Sequence, residues 1–229
     1  VSSAASDVYK RQTRGFRSPG ASITDSMPTG NGLLRSTRNI MATNEAFIPN
    51  LPVIDLESVC QELADSGRRV KVLWQHPGSL AFVARGREYR SEFHVNASDE
   101  VTYMIKGTMH LHYRTQDGEE HVAVIPQGSS NWMPPNTEHS PRFPPDAFAL
   151  IIERHRTEGE IDRFRWYCPS CKAFLHEEQA NVADYSVDPV GRAYRNFFYN
   201  EDHRTCKACG HVMPNAMAES EANRLGAQA

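Results

Sequence analysis

Short segments in which apolar and polar residues alternate run through the middle of the chain. They are rich in β-branched and aromatic residues and are separated by Gly, Pro, Asn or Asp, as expected of strands joined by turns. Between residues 70 and 156 these segments are VKVLWQ, SLAFVARG, EFHV, EVTYMIKG, TMHLHYRT, HVAVIPQG, SNWMPP and FALIIERHR. The D-G pair in TQDGEE favours a hairpin between two of them. The pattern predicts an all-β fold, an antiparallel barrel or jelly roll.

A different spacing precedes the strands and predicts one helix. In IDLESVCQELADSG, residues 54–67, apolar side chains recur at close to the helical period, and Gly67 is suited to end the helix.

Changes in composition divide the rest of the chain. Residues 1–45 are rich in Ser, Gly, Arg, Thr and Pro, so we expect a disordered leader. Its first part, residues 1–12, resembles a translated cloning scar, although a Ser- and Arg-rich leader is also typical of a transit peptide. We expect the barrel over residues 46–160, a small cysteine-containing subdomain over residues 161–214, and a flexible tail over residues 215–229.

Length and charge exclude some classes of protein. The 229 residues fit one domain with a small appendage, and 25 basic against 28 acidic side chains give a net charge of −3. This charge gives no support to a nucleic-acid or membrane-surface partner. The sequence has neither a bilayer-spanning apolar run nor a signal peptide, so we expect a cytoplasmic protein without a membrane partner.

The late part of the chain contains two CxxC pairs. CPSC provides Cys168 and Cys171, and CKAC provides Cys206 and Cys209. Four thiolates from two knuckles suit Zn²⁺ or a rubredoxin-like iron, and two disulfides are the alternative. A closed four-ligand site has no open position, so we expect a structural role. Because no basic helix follows the knuckle, a zinc-finger nucleic-acid binder is disfavoured.

Two spaced motifs inside the predicted strands contain further metal-ligating residues. The first, H-x5-E-x6-G, begins at His94 and includes Glu100; the second, G-x5-P-x4-H, ends at His139. They resemble the paired motifs of the cupin superfamily, a small β-barrel in which both motifs meet around a metal. The first motif usually opens with H-x-H, but here Glu92 replaces the first histidine. The remaining two imidazoles and one carboxylate are the ligand set of non-haem Fe(II) oxygenases, which leaves positions open for substrate and O2.

Other residues of these segments have simpler interpretations. His110, His112 and His121 lie on predicted strands without such spacing and are interpreted as surface or hydrogen-bonded residues. The second cupin motif usually has Gly where this chain has Asn136, which also tolerates positive φ.

Several longer segments together resemble a narrower family. They are YRSEFHVNASDEVTYMIKG, MPPNTEHSPRF, LIIERHR, and WYCPSC with CKACG. In this order they resemble the 3-hydroxyanthranilate 3,4-dioxygenases of the bacterial type, which carry a C-terminal iron knuckle. The resemblance covers about residues 68–214.

The resemblance implies a ring-cleaving enzyme with two metals. His94, Glu100 and His139 would hold catalytic Fe²⁺, and the four cysteines would hold a second Fe or Zn. The substrate would be 3-hydroxyanthranilate, opened by O2 to 2-amino-3-carboxymuconate semialdehyde on the route from tryptophan to quinolinate and NAD. A homodimer is the family expectation.

The resemblance also implies roles for three further side chains. Arg142 would pair with the substrate carboxylate, Glu153 would hydrogen-bond the amine or phenol, and Arg90 would lie beside bound O2. The chain departs from the family on the substrate side: the usual H-S-P-Q-R is HSPRF, Gly-Gly-Pro-Asn is replaced by ARGRE, and Val70 replaces an asparagine. A related dioxygenase for another aminophenol or hydroxybenzoate therefore remains an alternative, as does a non-catalytic metal-binding cupin.

Overall fold

The computed structural model describes residues 51–76, 78–182 and 189–220, apart from the side chain of Pro189. The predicted leader and the last nine residues of the predicted tail lie outside this part of the chain. In chain order the elements are α1 (Leu56–Ser66), β1 (Val70–His76), β2 (Ser79–Arg85), β3 (Phe93–Val95), β4 (Glu100–Lys106), β5 (Thr108–Arg114), β6 (Glu120–Pro126), β7 (Ser130–Met133), β8 (Glu138–Arg142), β9 (Phe148–Glu153), β10 (Asp162–Tyr167), β11 (Phe174–Ala180), α2 (Pro189–Phe198) and α3 (Glu201–Arg204).

In the described residues, the strands form two antiparallel sheets. One has the order β1-β2-β9-β4-β7 and the other the order β11-β10-β3-β8-β5-β6. Buried side chains from both sheets share one core, in which Met104 of β4 and Ile151 of β9 join Met109 and Leu111 of β5. The sheets therefore pack face to face as a jelly roll, and the predicted all-β class is confirmed.

The predicted helix is present as α1. The Asp55 side chain accepts hydrogen bonds from the backbone N–H groups of Glu57 and Ser58 at 3.0 and 3.4 Å, which caps the first turn. Gly67 ends the helix with φ of 68°, a left-handed conformation that costs glycine little. The helix buries Leu63 and its apolar neighbours against the barrel.

The structure adds strands that the pattern did not predict. All eight predicted segments form strands, and β8, β10 and β11 are additional. β10 is hydrogen-bonded to β3, so the chain beyond residue 161 continues the six-stranded sheet. The predicted boundary at residues 160–161 thus falls between two strands of the fold and stays a prediction.

The segment after the boundary packs around aromatic side chains. Trp166 and Phe164 of β10 are covered by Tyr194 and Phe197 of α2, and all four are at most 1% exposed. Met217, inside the predicted tail, packs against this cluster. Within the described ranges, no helix combines the length and apolar character needed to cross a bilayer.

Candidate active site

A cavity of about 720 Å³ lies between the two sheets and is lined by the predicted ligands. The six-stranded sheet contributes a pair of histidines, because His94 on β3 lies directly opposite His139 on β8. The five-stranded sheet contributes a pair of carboxylates, because Glu100 on β4 lies opposite Glu153 on β9. Strand pairing thus brings together residues that are far apart in sequence.

His139 presents a nitrogen lone pair to the cavity. It is 1% exposed, and its Nδ1 lies 2.9 Å from the carbonyl oxygen of Thr137, which can only accept a hydrogen bond. The proton is therefore on Nδ1 and the lone pair on Nε2. Burial, with the nearby His94, lowers the pKa of His139 well below its usual value, so the ring is neutral.

Glu100 is a buried carboxylate next to this nitrogen. Its Oε2 lies 3.7 Å from Nε2 of His139, too far for a hydrogen bond. Burial raises the pKa of Glu100, and the positive charges of Arg90 and Arg156 offset part of that effect. A cation between the carboxylate and the imidazole would stabilise the charged form, so these two groups fit a divalent metal.

His94 is the third predicted ligand, but its Nε2 is directed at another side chain. Its ring stacks on Phe164 with centroids 5.0 Å apart and meets the ring of His139 edge-on, also at 5.0 Å. Nε2 donates a hydrogen bond to Oδ2 of Asp162 at 2.8 Å. No choice of one ligand atom from each of His94, Glu100 and His139 places all three atoms within 4.8 Å of one another. The three residues line one cavity, and a shared ion requires these side chains to move closer together than they are here.

Asp162 and Arg156 form a buried ion pair behind the histidine. Arg156 donates to the two carboxylate oxygens of Asp162 at 2.6 and 3.0 Å. Burial alone would raise the pKa of Asp162, but the hydrogen bonds from His94 and Arg156 lower it to about 2. Neither residue was among the sequence-predicted site residues. Only the pairing of β10 with β3 places Asp162 beside His94.

Arg156 also anchors the second carboxylate of the cavity. Both of its terminal nitrogens lie 3.1 Å from Oε2 of Glu153, and Nδ2 of Asn96 donates to the same oxygen at 3.2 Å. Glu153 is 6% exposed, so this network holds a charged group at a fixed place in the wall.

Arg90 lines the cavity, as expected from the sequence. Its Nε lies 2.9 Å from Oε1 of Glu92, which is fully buried. The residue that replaces the first cupin histidine therefore forms a buried ion pair with Arg90.

The structure does not bring Arg142 to the cavity. Successive residues of a strand face opposite sides, so Arg142, three positions after His139, lies on the other face of β8. Its Nε donates to Ser140 Oγ at 3.1 Å, and its guanidinium lies 5.6 Å from the ring centroid of Phe93. The next residue, Phe143, lines the cavity instead. The short HSPRF segment thus replaces the expected cation in the wall with an apolar ring.

The four cysteines form a separate cluster. Sγ of Cys168 lies 3.7 Å from Sγ of Cys209, and Sγ of Cys171 lies 3.5 Å from Sγ of Cys206. These distances far exceed a disulfide bond of about 2.05 Å. They match the spacing of about 3.8 Å between sulfurs bonded tetrahedrally to one ion at about 2.3 Å. The cluster therefore fits a metal.

Matching turns of the backbone build this cluster. Lys172 has φ of 64° and Gly210 has φ of 74°, each directly after the second cysteine of its pair. Each turn is closed by a backbone N–H that donates to the carbonyl of the first cysteine, at 2.9 Å in both cases. Backbone N–H groups of Cys209 and Ala208, against burial, lower the pKa of Cys206 to about 7, which favours the thiolate that binds metal.

Two facing antiparallel sheets with a cavity of imidazoles and carboxylates define a cupin-type metalloprotein with an added cysteine cluster. The profile of the 3-hydroxyanthranilic acid dioxygenase family matches residues 68–198. The chain belongs to this family, and the resemblance in the sequence is confirmed.

Named relatives agree with the assignment. The 3-hydroxyanthranilate 3,4-dioxygenase of Bacillus thuringiensis is 34% identical over 149 residues, covering 65% of this chain and 83% of that protein. The same enzyme of Podospora anserina is 35% identical over 137 residues, covering 59% and 74%. An RmlC-like cupin from Shewanella frigidimarina is 20% identical with a TM-score of 0.32, over 39% of this chain and 77% of that one. Since this TM-score is low, the fold assignment rests on the sheets and the family match.

Proposed function

We propose that the protein is an Fe²⁺-dependent dioxygenase that converts 3-hydroxyanthranilate and O2 to 2-amino-3-carboxymuconate semialdehyde. The observation that carries the proposal is the cavity in which a histidine pair from one sheet faces a carboxylate pair from the other. We place this reaction in the cytoplasm, on the kynurenine route from tryptophan to quinolinate and NAD.

The proposed ligands of the ferrous ion are His94, Glu100 and His139. When bound, the ion would supply a centre that holds the aromatic substrate and dioxygen together. The hydrogen bond from Nδ1 of His139 to a backbone carbonyl fixes the ring with Nε2 towards the cavity. The buried Glu100 contributes the negative charge that a cation needs in this low-dielectric interior.

Glu153 is the proposed acceptor of a proton from the substrate. It lies next to Glu100 on the neighbouring strand, so a phenol or amine held near Glu100 is within its reach. Arg156 and Asn96 hydrogen-bond its Oε2 and keep the carboxylate oriented. Proton transfer to an oriented base is the step that makes an aminophenol electron-rich enough for attack by O2.

Arg90 is proposed to stabilise negative charge that develops on the oxygen side of the cavity. Its ion pair with the buried Glu92 keeps this positive charge at the wall of the cavity. The apolar wall, which includes Phe143, Ile151 and Phe164, is suited to pack against an aromatic ring and exclude water.

A second candidate substrate follows from the place of Arg142. Because Phe143 stands in the wall and Arg142 lies on the opposite face, an aminophenol without a carboxylate is favoured by this part of the cavity. A carboxylated substrate would have to be bound by other arginines of the cavity wall, such as Arg69, Arg85 or Arg87.

Oxygen uptake with defined substrates tests the proposal. Protein loaded with Fe²⁺ under anaerobic conditions is mixed with O2 and either 3-hydroxyanthranilate or 2-aminophenol. We expect O2 uptake, with a rising semialdehyde absorbance when 3-hydroxyanthranilate is the substrate. Preference for 2-aminophenol would support the second candidate. No uptake with either aromatic by iron-loaded protein would contradict both.

Substitution of a proposed ligand tests the metal site. Glu100→Ala is expected to lose catalytic iron and activity and to keep the fold, as measured by metal analysis, O2 uptake and circular dichroism. His110→Ala is the control, since His110 is exposed on β5 and outside the cavity. Full activity in a folded, iron-poor Glu100→Ala protein would refute the assigned role.

The homodimer expected from the family is part of the proposal. The outer face of the five-stranded sheet exposes Val101 (37%), Tyr103 (39%) and Trp132 (60%), and Val101 and Trp132 are neighbours on paired strands. Such an apolar patch is suited to pair with a second copy. Sedimentation analysis of the wild type and of Trp132→Lys tests this, and a wild-type monomer at high concentration would contradict it.

A further inference from the structure

A second group of metal-ligating side chains lies outside the cavity, where β11 meets α3. His176 and Glu178 are two residues apart on β11, so both project from the same face of the strand. His203, on α3, lies against them. One donor atom from each of the three lies within 4.8 Å of the other two. Among the described residues, only this group and the four cysteines meet that condition.

Hydrogen bonds fix His203 in the tautomer that a metal requires. Its Nδ1 lies 3.1 Å from the carbonyl oxygen of Asn196, which accepts, so Nδ1 carries the proton. Its Nε2 lies 3.1 Å from the side-chain nitrogen of Asn200, which donates. The lone pair is therefore on Nε2, and the backbone holds the ring in the way that outer partners orient metal-binding histidines.

Asn196 orients the carboxylate as well. Its Nδ2 donates to Oε2 of Glu178 at 3.1 Å, which leaves Oε1 directed at Nε2 of His176, 2.7 Å away. One residue of α2 thus positions a ligand atom on β11 through its side chain and another on α3 through its backbone.

We propose that His176, Glu178 and His203 bind one divalent transition-metal cation, with Zn²⁺ as the best match. Two imidazoles and one carboxylate, with a water as fourth ligand, form a zinc ligand set. The side chains of His176 and Glu178 are each 19% exposed, so an ion can enter from solvent and keep a water.

Small rearrangements make the group fit an ion. Bonds of about 2.1 Å to two ligands place the ligand atoms about 3 Å apart or more, so the contact between His176 and Glu178 opens slightly. The proton that His176 now shares with Glu178 from Nε2 moves to Nδ1. The rings of His176 and His203 stack at 3.7 Å, and one of them tilts to direct its lone pair at the ion. Nε2 of His203 also gives up the hydrogen bond that it accepts from Asn200.

The position of this site gives it a structural consequence. α3 directly precedes the second cysteine pair, and β11 closely follows the first. An ion shared by β11 and α3 therefore ties the two halves of the cysteine subdomain together at a second point. The inference does not depend on the proposed enzymatic activity.

Zinc binding by the full chain tests the proposal. Protein whose cysteine cluster already holds zinc is titrated with Zn²⁺ by calorimetry, and bound metal is counted after dialysis. The wild type is expected to bind one zinc more per chain than His203→Ala and Glu178→Gln. Asn196→Ala, which removes only an orienting hydrogen bond, is expected to weaken this binding about 10- to 100-fold.

The control removes an imidazole from a similar surface pair. His121 lies 3.6 Å from Glu119 without a third ligand, so His121→Ala should bind as much zinc as the wild type. Circular dichroism verifies that each variant is folded, and Glu178→Gln replaces His203→Ala if the latter is not. Equal zinc content and affinity in the wild type and the folded variant would overturn the proposal, as would an equal loss in His121→Ala.

Discussion

Two arginine–carboxylate pairs of this chain differ mainly in burial. This difference predicts that breaking the two pairs will lower the free energy of unfolding by different amounts. Arg156 and Asp162 have side chains 2% and 3% exposed, and Arg154 and Glu160 have side chains 33% and 22% exposed. Both pairs are bonded through two nitrogens, at 2.6 and 3.0 Å in the buried pair and at 2.6 Å twice in the half-buried one. Hydrogen-bond geometry alone would predict that the two pairs contribute similarly to the free energy of unfolding.

The perturbation is Asp162→Ala, with Glu160→Ala as its matched control. Removing one partner of a buried ion pair leaves an uncompensated charge and costs about 3–5 kcal/mol. Because Arg156 keeps its contacts to Glu153, we expect the lower end of that range, about 3 kcal/mol. A pair that water can reach, as it reaches Arg154 and Glu160, contributes about 1 kcal/mol or less. Asp162→Asn, which keeps the shape and one acceptor, should fall between them.

Urea unfolding followed by circular dichroism measures the difference. With a slope of about 2 kcal/mol per M, Asp162→Ala should lower the midpoint by about 1.5 M and Glu160→Ala by about 0.5 M or less. The cysteine cluster stays metal-loaded in every sample, so that loss of that metal does not contribute. Equal shifts for the two alanine variants would refute the argument that burial of the Asp162 network stabilises the site.

Three further predictions address the second metal, the substrate and a pH effect. Cys168→Ser should lose the cysteine-bound metal and some stability while iron-loaded protein keeps its turnover, as tested by metal analysis and O2 uptake; a folded variant without turnover would contradict a structural role. Inserting a glutamine between Pro141 and Arg142 should turn the guanidinium of Arg142 towards the cavity. Because a hydrogen bond to a charged group contributes about 1.5–3 kcal/mol, kcat/KM for a carboxylated substrate should rise about 10- to 100-fold. If the ratio of kcat/KM for this substrate to kcat/KM for 2-aminophenol does not change, the prediction is wrong. Burial and the 2.8 Å hydrogen bond to Glu138 raise the pKa of the Tyr167 hydroxyl to about 12. The neutral hydroxyl therefore contributes fully to the free energy of unfolding below a pH of about 10, and this contribution is lost as the pH rises towards 12. Ultraviolet titration should show a late tyrosinate that is missing in Tyr167→Phe.

Much of the fold could be predicted because the signals are local. Alternation along one strand identifies that strand without knowledge of its partners, and all eight predicted segments are strands. The stop at Gly67 likewise depends on a few neighbouring residues. Asn136 has φ of 60°, as expected of a residue standing where cupins usually have glycine.

The remaining strands could not be predicted because their patterns are weak or their partners distant. β8 contains Pro141 and mostly polar residues, which do not predict a strand. The four residues on either side of Pro141, among them His139, nevertheless pair with β5. Asp162 becomes part of the site only through β10 and β3, and its partner His94 is 68 residues away. Sequence spacing does not reveal such contacts. The same holds for His176 and His203, which belong to different elements.

The place of Arg142 shows how metal binding and substrate recognition can change independently. A shift of one residue moves a strand side chain to the opposite face, so one missing residue after the His-Ser-Pro segment is enough to exchange a cation for a ring. His139 lies before the missing residue and keeps its register opposite His94. Glu100 and Glu153 belong to the other sheet and are not affected. The proposed metal ligands therefore keep their arrangement while one wall of the cavity changes from Arg to Phe143, and the chemistry of ring opening can be retained for a substrate with a different charge.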